Sequence, residues 1–138
     1  MTAHGLIDAG AIVALLDRQD PWHSRCAAAL REARLPLLTS SAVLAEVFRL
    51  VGDNRARVET AWGFLRSGAI LLGSIGDAEV GELQGLMSRY AGMNFADATL
   101  VYLARRESLS TILTVDGEAF EGYFISGKRK FTVAPGRG

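Results

Sequence analysis

One cysteine, Cys26, occurs in 138 residues. With no second thiol the chain can form no internal disulfide, which points to a reducing compartment. Long apolar runs are missing as well: none reaches the ~18 residues that a membrane-spanning helix needs. The first residues lack a basic stretch, a long apolar segment and a cleavage site, so no signal peptide is expected. A charge excess is also absent, since fifteen basic and fifteen acidic residues balance to a formal zero. Proteins that hold nucleic acid by charge alone often carry a large positive excess. Any such role here would need local basic patches and a bridging cation. Lysine is confined to positions 128 and 130. These absences predict a soluble, cytoplasmic protein with no membrane association. The length fits one domain over residues 1–138.

What is present is a large apolar fraction, 49%, enough to build a core without staples. Short aliphatic runs alternate with helical patterns along the chain. Leu6-Ile7, Leu37-Leu38-Thr39, Ile70-Leu71-Leu72, Thr111 to Val115 and Phe131 to Val133 read as strands. Between them, Trp22, Cys26, Ala29, Leu30 and Ala33 recur at helical spacing. So do Val58, Ala61, Trp62 and Leu65, and then Val80, Leu83, Leu86, Met87 and Tyr90. Asp20-Pro21 reads as a helix start, with Asp as N-cap and Pro at the first helical position. Gly52 reads as a helix stop. Strands separated by helices imply crossovers, hence an α/β fold with a parallel sheet covered by helices on both faces. In that architecture ligands bind beyond the carboxyl ends of the strands.

Two acids follow predicted strands. Asp8 comes after Leu6-Ile7, and Asp116 after Thr111 to Val115. Each has a purely local alternative: Asp8 as the N-cap of a buried helix over Ala11 to Leu16, Asp116 as half of an Asp-Gly turn or the cap of a short helix through Phe120. Glu46 lies in Ala42-Val43-Leu44-Ala45-Glu46-Val47-Phe48, a helix started by Thr39, Ser40 or Ser41. Its apolar surroundings disfavour full solvation, and a charge there needs a partner or a metal; the alternative is a surface Glu paired with Arg49. Asp97 precedes a helix over Ala98 to Arg106. Its alternative is the third helical position behind an Asn94 cap. Two carboxylates ~5 Å apart repel by about 3 kcal/mol at an effective dielectric near 20. A cluster of such groups either keeps protons or takes a divalent cation, and an all-oxygen site suits Mg²⁺ or Mn²⁺.

The ordered set Leu6-Ile7-Asp8-Ala9-Gly10, Leu44-Ala45-Glu46, Phe95-Ala96-Asp97-Ala98 and Thr114-Val115-Asp116-Gly117-Glu118-Ala119-Phe120 resembles a PIN domain. More narrowly it resembles the ribonuclease toxin of a VapBC-type toxin–antitoxin pair, and the likeness spans nearly the whole chain. It implies a three-layer α/β/α sandwich with a short central parallel sheet. It also implies that Asp8, Glu46, Asp97 and Asp116 coordinate Mg²⁺ or Mn²⁺ and cleave RNA. Thr114 matches a common family hydroxyl that orients a ligand or water. Position 9 departs from the pattern, being Ala where many members have Thr or Ser. An antitoxin partner and a homodimer are further implications of the resemblance.

Other features read as structural. His4 and His23 lack ligand-type neighbours at metal spacing, Cys26 falls on an apolar stripe, and Trp22, Trp62, Phe64 and Tyr90 read as packing residues. Lys128-Arg129-Lys130 and Arg105-Arg106 read first as solvated faces and second as phosphate contacts. Two other functions compete. A phosphoryl-transfer protein of the haloacid-dehalogenase type needs an Asp where Gly10 stands, and a receiver needs an acidic pair and a late Lys that are not evident. A catalytically degenerate binding subunit would not need all four acids.

Overall fold

The computed structural model describes residues 2–136. The strands are β1 (Gly5–Ile7), β2 (Leu37–Thr39), β3 (Ile70–Leu72), β4 (Thr111–Leu113), β5 (Phe124–Ser126), β6 (Arg129–Lys130) and β7 (Thr132–Ala134). The helices are α1 (Ala9–Leu16), α2 (His23–Glu32), α3 (Ser41–Val51), α4 (Arg55–Arg66), α5 (Val80–Arg89), α6 (Phe95–Glu107) and α7 (Gly117–Glu121), with a 3₁₀ turn at Asp77–Glu79 ahead of α5. Five strands form a parallel sheet in the order β3-β2-β1-β4-β7. Helices flank it in a three-layer α/β/α arrangement. β5 and β6 pair antiparallel as a separate hairpin.

The inner strands β1 and β2 are buried throughout because both faces are covered, as in parallel sheets, whereas the edge strands β3 and β7 expose Leu72 and Thr132. Leu37 lines a cavity against Ala28 and Ala29 of α2. Leu38, the next residue, crowds Gly73 together with Leu103 of α6, so successive side chains serve opposite layers. One apolar cluster joins Leu6, Ile7, Ile12, Val43, Val47, Leu100, Leu103, Ile112 and Phe120, all essentially inaccessible. Among the described residues no helix is long and apolar enough to cross a membrane.

Four readings of the sequence need correction. Asp20-Pro21 does not open α2: Asp20 Oδ1 accepts the Trp22 N–H at 2.8 Å, closing a turn that precedes a helix starting at His23. The fourth strand stops at Leu113: the Thr114 N–H still reaches Ala134 O at 2.8 Å, but the Asp116 N–H folds back onto the Thr114 hydroxyl and takes the chain out of the ladder. The last strand of the sheet runs from Thr132 to Ala134, one residue later than its apolar pattern suggests. α6 begins at Phe95, where Asn94 Oδ1 caps the Asp97 N–H at 2.8 Å. The β5–β6 hairpin has mostly exposed strands and no counterpart among the predicted ones. Gly52 does stop α3, with a positive φ of 55° that few side chains tolerate.

Candidate active site

The sheet changes direction between β1 and β4. From β1 the chain proceeds outward through β2 to β3, whereas β4 has β7 on its far side. Such a switch point leaves a gap at the carboxyl ends of the two strands. Asp8 and Thr114 sit at its lip, immediately after β1 and β4. The Asp8 N–H still continues the ladder, donating to Leu113 O at 3.0 Å. The Asp8 carboxylate is buried and caps α1, with Oδ1 accepting the Ala9 N–H at 2.7 Å. Its other oxygen, Oδ2, accepts the Thr114 hydroxyl at 3.1 Å. Thr114 Oγ1 in turn accepts the Asp116 N–H at 2.9 Å. One buried hydroxyl therefore ties two acids from opposite ends of the sequence.

Asp116 occupies the N-cap position of α7 but makes no capping hydrogen bond, and its side chain is exposed. Asp97 is the third residue of α6, half-buried, and its Oδ2 accepts the Tyr123 hydroxyl at 2.8 Å. Glu46 is half-buried on α3 beside buried Val43 and Val47, and α3 packs against both α1 and α6. Ser40 sets the start of α3 by accepting the Val43 N–H at 3.2 Å. The local alternatives hold for two of the acids: Asp8 caps α1, and Asp97 is the third helical residue behind the Asn94 cap.

The carboxylates sense one another. Asp8 is pushed up to about 6, first by burial and then by the charge of Asp97, with Glu46 contributing; the Ala9 and Thr114 hydrogen bonds oppose the shift. Asp97 is also raised, by burial and by Asp116 and Glu46, against the Tyr123 hydrogen bond. Among the described residues the ion pairs are Arg57–Asp17 and Arg106–Glu107, and neither involves these four acids. The helix starts at α1, α6 and α7 offer only ~0.3–1 kcal/mol each. That falls short of the ~3 kcal/mol by which a close carboxylate pair repels.

Hard carboxylate oxygens with no ion-pair partner among the described residues fit a divalent ion such as Mg²⁺ or Mn²⁺. Among the described residues no group of three or more His, Cys, Asp or Glu side chains is close enough together to hold a metal ion by itself. An ion that keeps several of its waters does not require one. The charges of Asp8, Asp97, Asp116 and Glu46 interact pairwise, and all four carry the hard oxygen donors such an ion takes.

Tyr123 carries no signal in the sequence. It lies 26 residues beyond Asp97, and only the fold brings it to the acid. The residues read as structural behave so. His23 Nδ1 lies 2.7 Å from Ala14 O, and burial pushes the Cys26 thiol up to about 11. Trp62 is an exception in part, being 47% exposed while its ring contacts Phe48 at a 5.2 Å centroid distance. An apolar cavity of about 440 Å³ lies between α2 and the sheet, lined by Ala28, Ala29, Leu37 and Ala134; none of the four acids lines it.

Comparison with known proteins agrees with this picture. The chain matches the PIN domain family over residues 5–123. It is 32% identical over 135 residues to Ribonuclease VapC26 of Mycobacterium tuberculosis, an alignment covering 94% of this chain and 99% of that protein. Its fold is similar to the crystal structure of VapC20 of the same organism, a toxin described as cleaving the sarcin-ricin loop. The TM-score is 0.75 at 19% identity, covering 88% of this chain and 97% of the other.

Proposed function

Since the chain belongs to the PIN domain family, we propose that it is a Mg²⁺- or Mn²⁺-dependent endoribonuclease acting as the toxin of a toxin–antitoxin pair, with residues 1–138 working as one nuclease unit in the cytoplasm. What supports this reading is the Thr114 hydroxyl that joins Asp8 to the Asp116 backbone at the switch point, beside an Asp97 and a Glu46 whose charges reach Asp8, with no ion pair to these four acids among the described residues. The 32%-identical relative named a ribonuclease supports RNA as substrate.

Asp8, Asp97 and Asp116 would hold the ion, directly or through its waters. When bound, the ion lowers the pKa of a water and offsets charge on phosphate oxygens. Thr114 fixes the Asp8 carboxylate and the Asp116 backbone, so both acids meet the substrate in set orientations. Glu46 either joins the ligand set or accepts the proton of the attacking water as general base. Water attack leaves a 5′-phosphate and a 3′-hydroxyl.

The protein acts as a homodimer and is restrained by an antitoxin. Helices α3 and α4 expose Leu50 at 49% and Trp62 at 47%, an apolar face suited to such a partner.

The decisive experiment pairs melting with cleavage. Millimolar Mg²⁺ or Mn²⁺ should raise the melting temperature of the wild-type chain, because a ligand that binds only the folded state stabilises it. Asp97→Asn should lose RNA cleavage while remaining folded. No melting shift with either ion and no cleavage by wild type would favour a degenerate binding subunit instead.

A further inference from the structure

Asp97 is gripped from outside its own helix. At the third position of α6 its backbone N–H goes to the Asn94 cap, while its Oδ2 takes the Tyr123 hydroxyl at 2.8 Å. Among the described residues no hydrogen bond is made to Oδ1. The carboxylate is thus held by one oxygen and has the other to offer.

Tyr123 is itself tightly placed. Only 6% of it is exposed. Its ring meets Tyr90 at 5.1 Å and 66°, and Phe120 at 5.3 Å and 82°; Phe120 in turn meets Phe131 at 5.5 Å. These are edge-to-face contacts that favour one ring orientation. The backbone is anchored on both sides: the Tyr123 N–H donates to Phe120 O at 3.2 Å, and the Phe124 N–H donates to the Tyr90 hydroxyl at 3.0 Å. A buried phenol must find an acceptor, and Asp97 is the acceptor it finds. The same segment reaches Asp116, since the Phe120 N–H bonds Asp116 O at 3.4 Å. α7 and the residues after it therefore connect two acids through one rigid turn.

We infer that Tyr123 is the positioning residue of the acid notch, its hydroxyl locking the Asp97 carboxylate so that the remaining oxygen is presented to a divalent cation. This rests on the metal-dependent reading above. Residues that hydrogen-bond a metal-binding carboxylate typically change metal affinity by about 10- to 100-fold when removed. A tyrosine that served packing alone would change stability and leave metal affinity unchanged.

The test uses the full chain as wild type, Tyr123→Phe, Tyr90→Phe and Asp97→Asn, with calorimetric Mn²⁺ binding measured beside cleavage of RNA. Tyr123→Phe keeps the ring and its packing, and circular dichroism should match wild type. Its Mn²⁺ dissociation constant should rise roughly 10-fold or more, and saturating Mn²⁺ should restore most of the cleavage rate. Tyr90→Phe removes a hydroxyl that, among the described residues, accepts the Phe124 N–H and does not touch the acids, and it should stay within about twofold of wild type in Mn²⁺ affinity, well below the loss expected at Tyr123. An unchanged Mn²⁺ affinity in Tyr123→Phe, beside one abolished in Asp97→Asn, would overturn the role of Tyr123 and leave the nuclease reading standing. Equal loss in Tyr90→Phe would also overturn it, since the aromatic cluster as a whole would then be responsible. Absence of Mn²⁺ binding by wild type would remove both readings together.

Discussion

The hydroxyls of Ser40 and Thr99 meet at 2.8 Å in the interior, although 59 residues separate them. The Thr99 hydrogen is committed to Ala96 O at 2.6 Å, so Ser40 is the donor in this pair. The result is a directed chain: Val43 N–H to Ser40, Ser40 to Thr99, Thr99 to Ala96. It pins the start of α3, which carries Glu46, to the first turn of α6, which carries Asp97.

Thr99→Val should break this chain at constant shape. Ser40 would keep its cap but lose its buried acceptor. An unsatisfied buried donor costs about 1–3 kcal/mol, so the urea midpoint should fall by a corresponding amount with the slope unchanged. Thr99→Ser should recover most of the loss.

The stability of the metal-free protein should fall as pH rises from about 4 to about 6. Folded Asp8 titrates at about 6, against an ordinary aspartate value of 3.8. Across that window the folded state retains a proton that the unfolded state has released, so the unfolding free energy declines with pH. The raised pKa of Asp97 acts in the same direction. For Asp8 the loss amounts to about 2 kcal/mol across the window. Urea denaturation in a chelating buffer at pH 4, 5, 6 and 7.5 would show it. A curve that rises through this window would contradict the burial assigned to Asp8.

Thr114→Val should uncouple Asp8 from Asp116. Both hydrogen bonds of the hydroxyl are lost, and one of them serves a carboxylate. A stability loss of about 1–3 kcal/mol is expected, together with a larger proportional loss of cleavage. Thr114→Ser keeps the oxygen and should retain activity. Initial rates at matched Mg²⁺ would separate the two variants.

Gly10→Ala sets two effects against each other. Alanine favours the helix over glycine by about 0.8–1 kcal/mol. A Cβ at Gly10 would stand 2.4 Å from Val115 Cγ2, a stiff branched side chain between Thr114 and Asp116. Overpacking of this kind costs typically about 1–3 kcal/mol, so the clash should win. Thermal melting should show a modest net loss, and cleavage should drop further because the displaced residue lies within the site.

The α/β layout was legible because strands covered on both faces leave uninterrupted runs, as at the fully buried Leu37–Thr39, and because the edge strand Ile70–Leu72 stays aliphatic even where Leu72 is exposed. Local polar chemistry was harder to read. Asp20-Pro21 has the composition of a helix start, yet Asp20 spends its carboxylate on Trp22 inside a preceding turn. β5 and β6 left little trace, since apart from buried Ile125 their residues are exposed or half-exposed and carry no core pattern. Within the proposed site, strand-end logic points to Asp8 and Asp116, and the apolar residues around it point to Glu46. Tyr123 could not be found that way. Its role depends on a contact between α6 and the segment after α7, and no local spacing encodes it.

Among the described residues no cation pairs with the four acids, and on the proposed reading this bears on the order of events. Unfilled carboxylates would turn away the phosphate backbone of an approaching RNA, and with no net positive charge the chain has no overall attraction to compensate. On that reading the acids would be loaded before the substrate is captured, and the abundance of free divalent ion would govern how readily the protein engages its target.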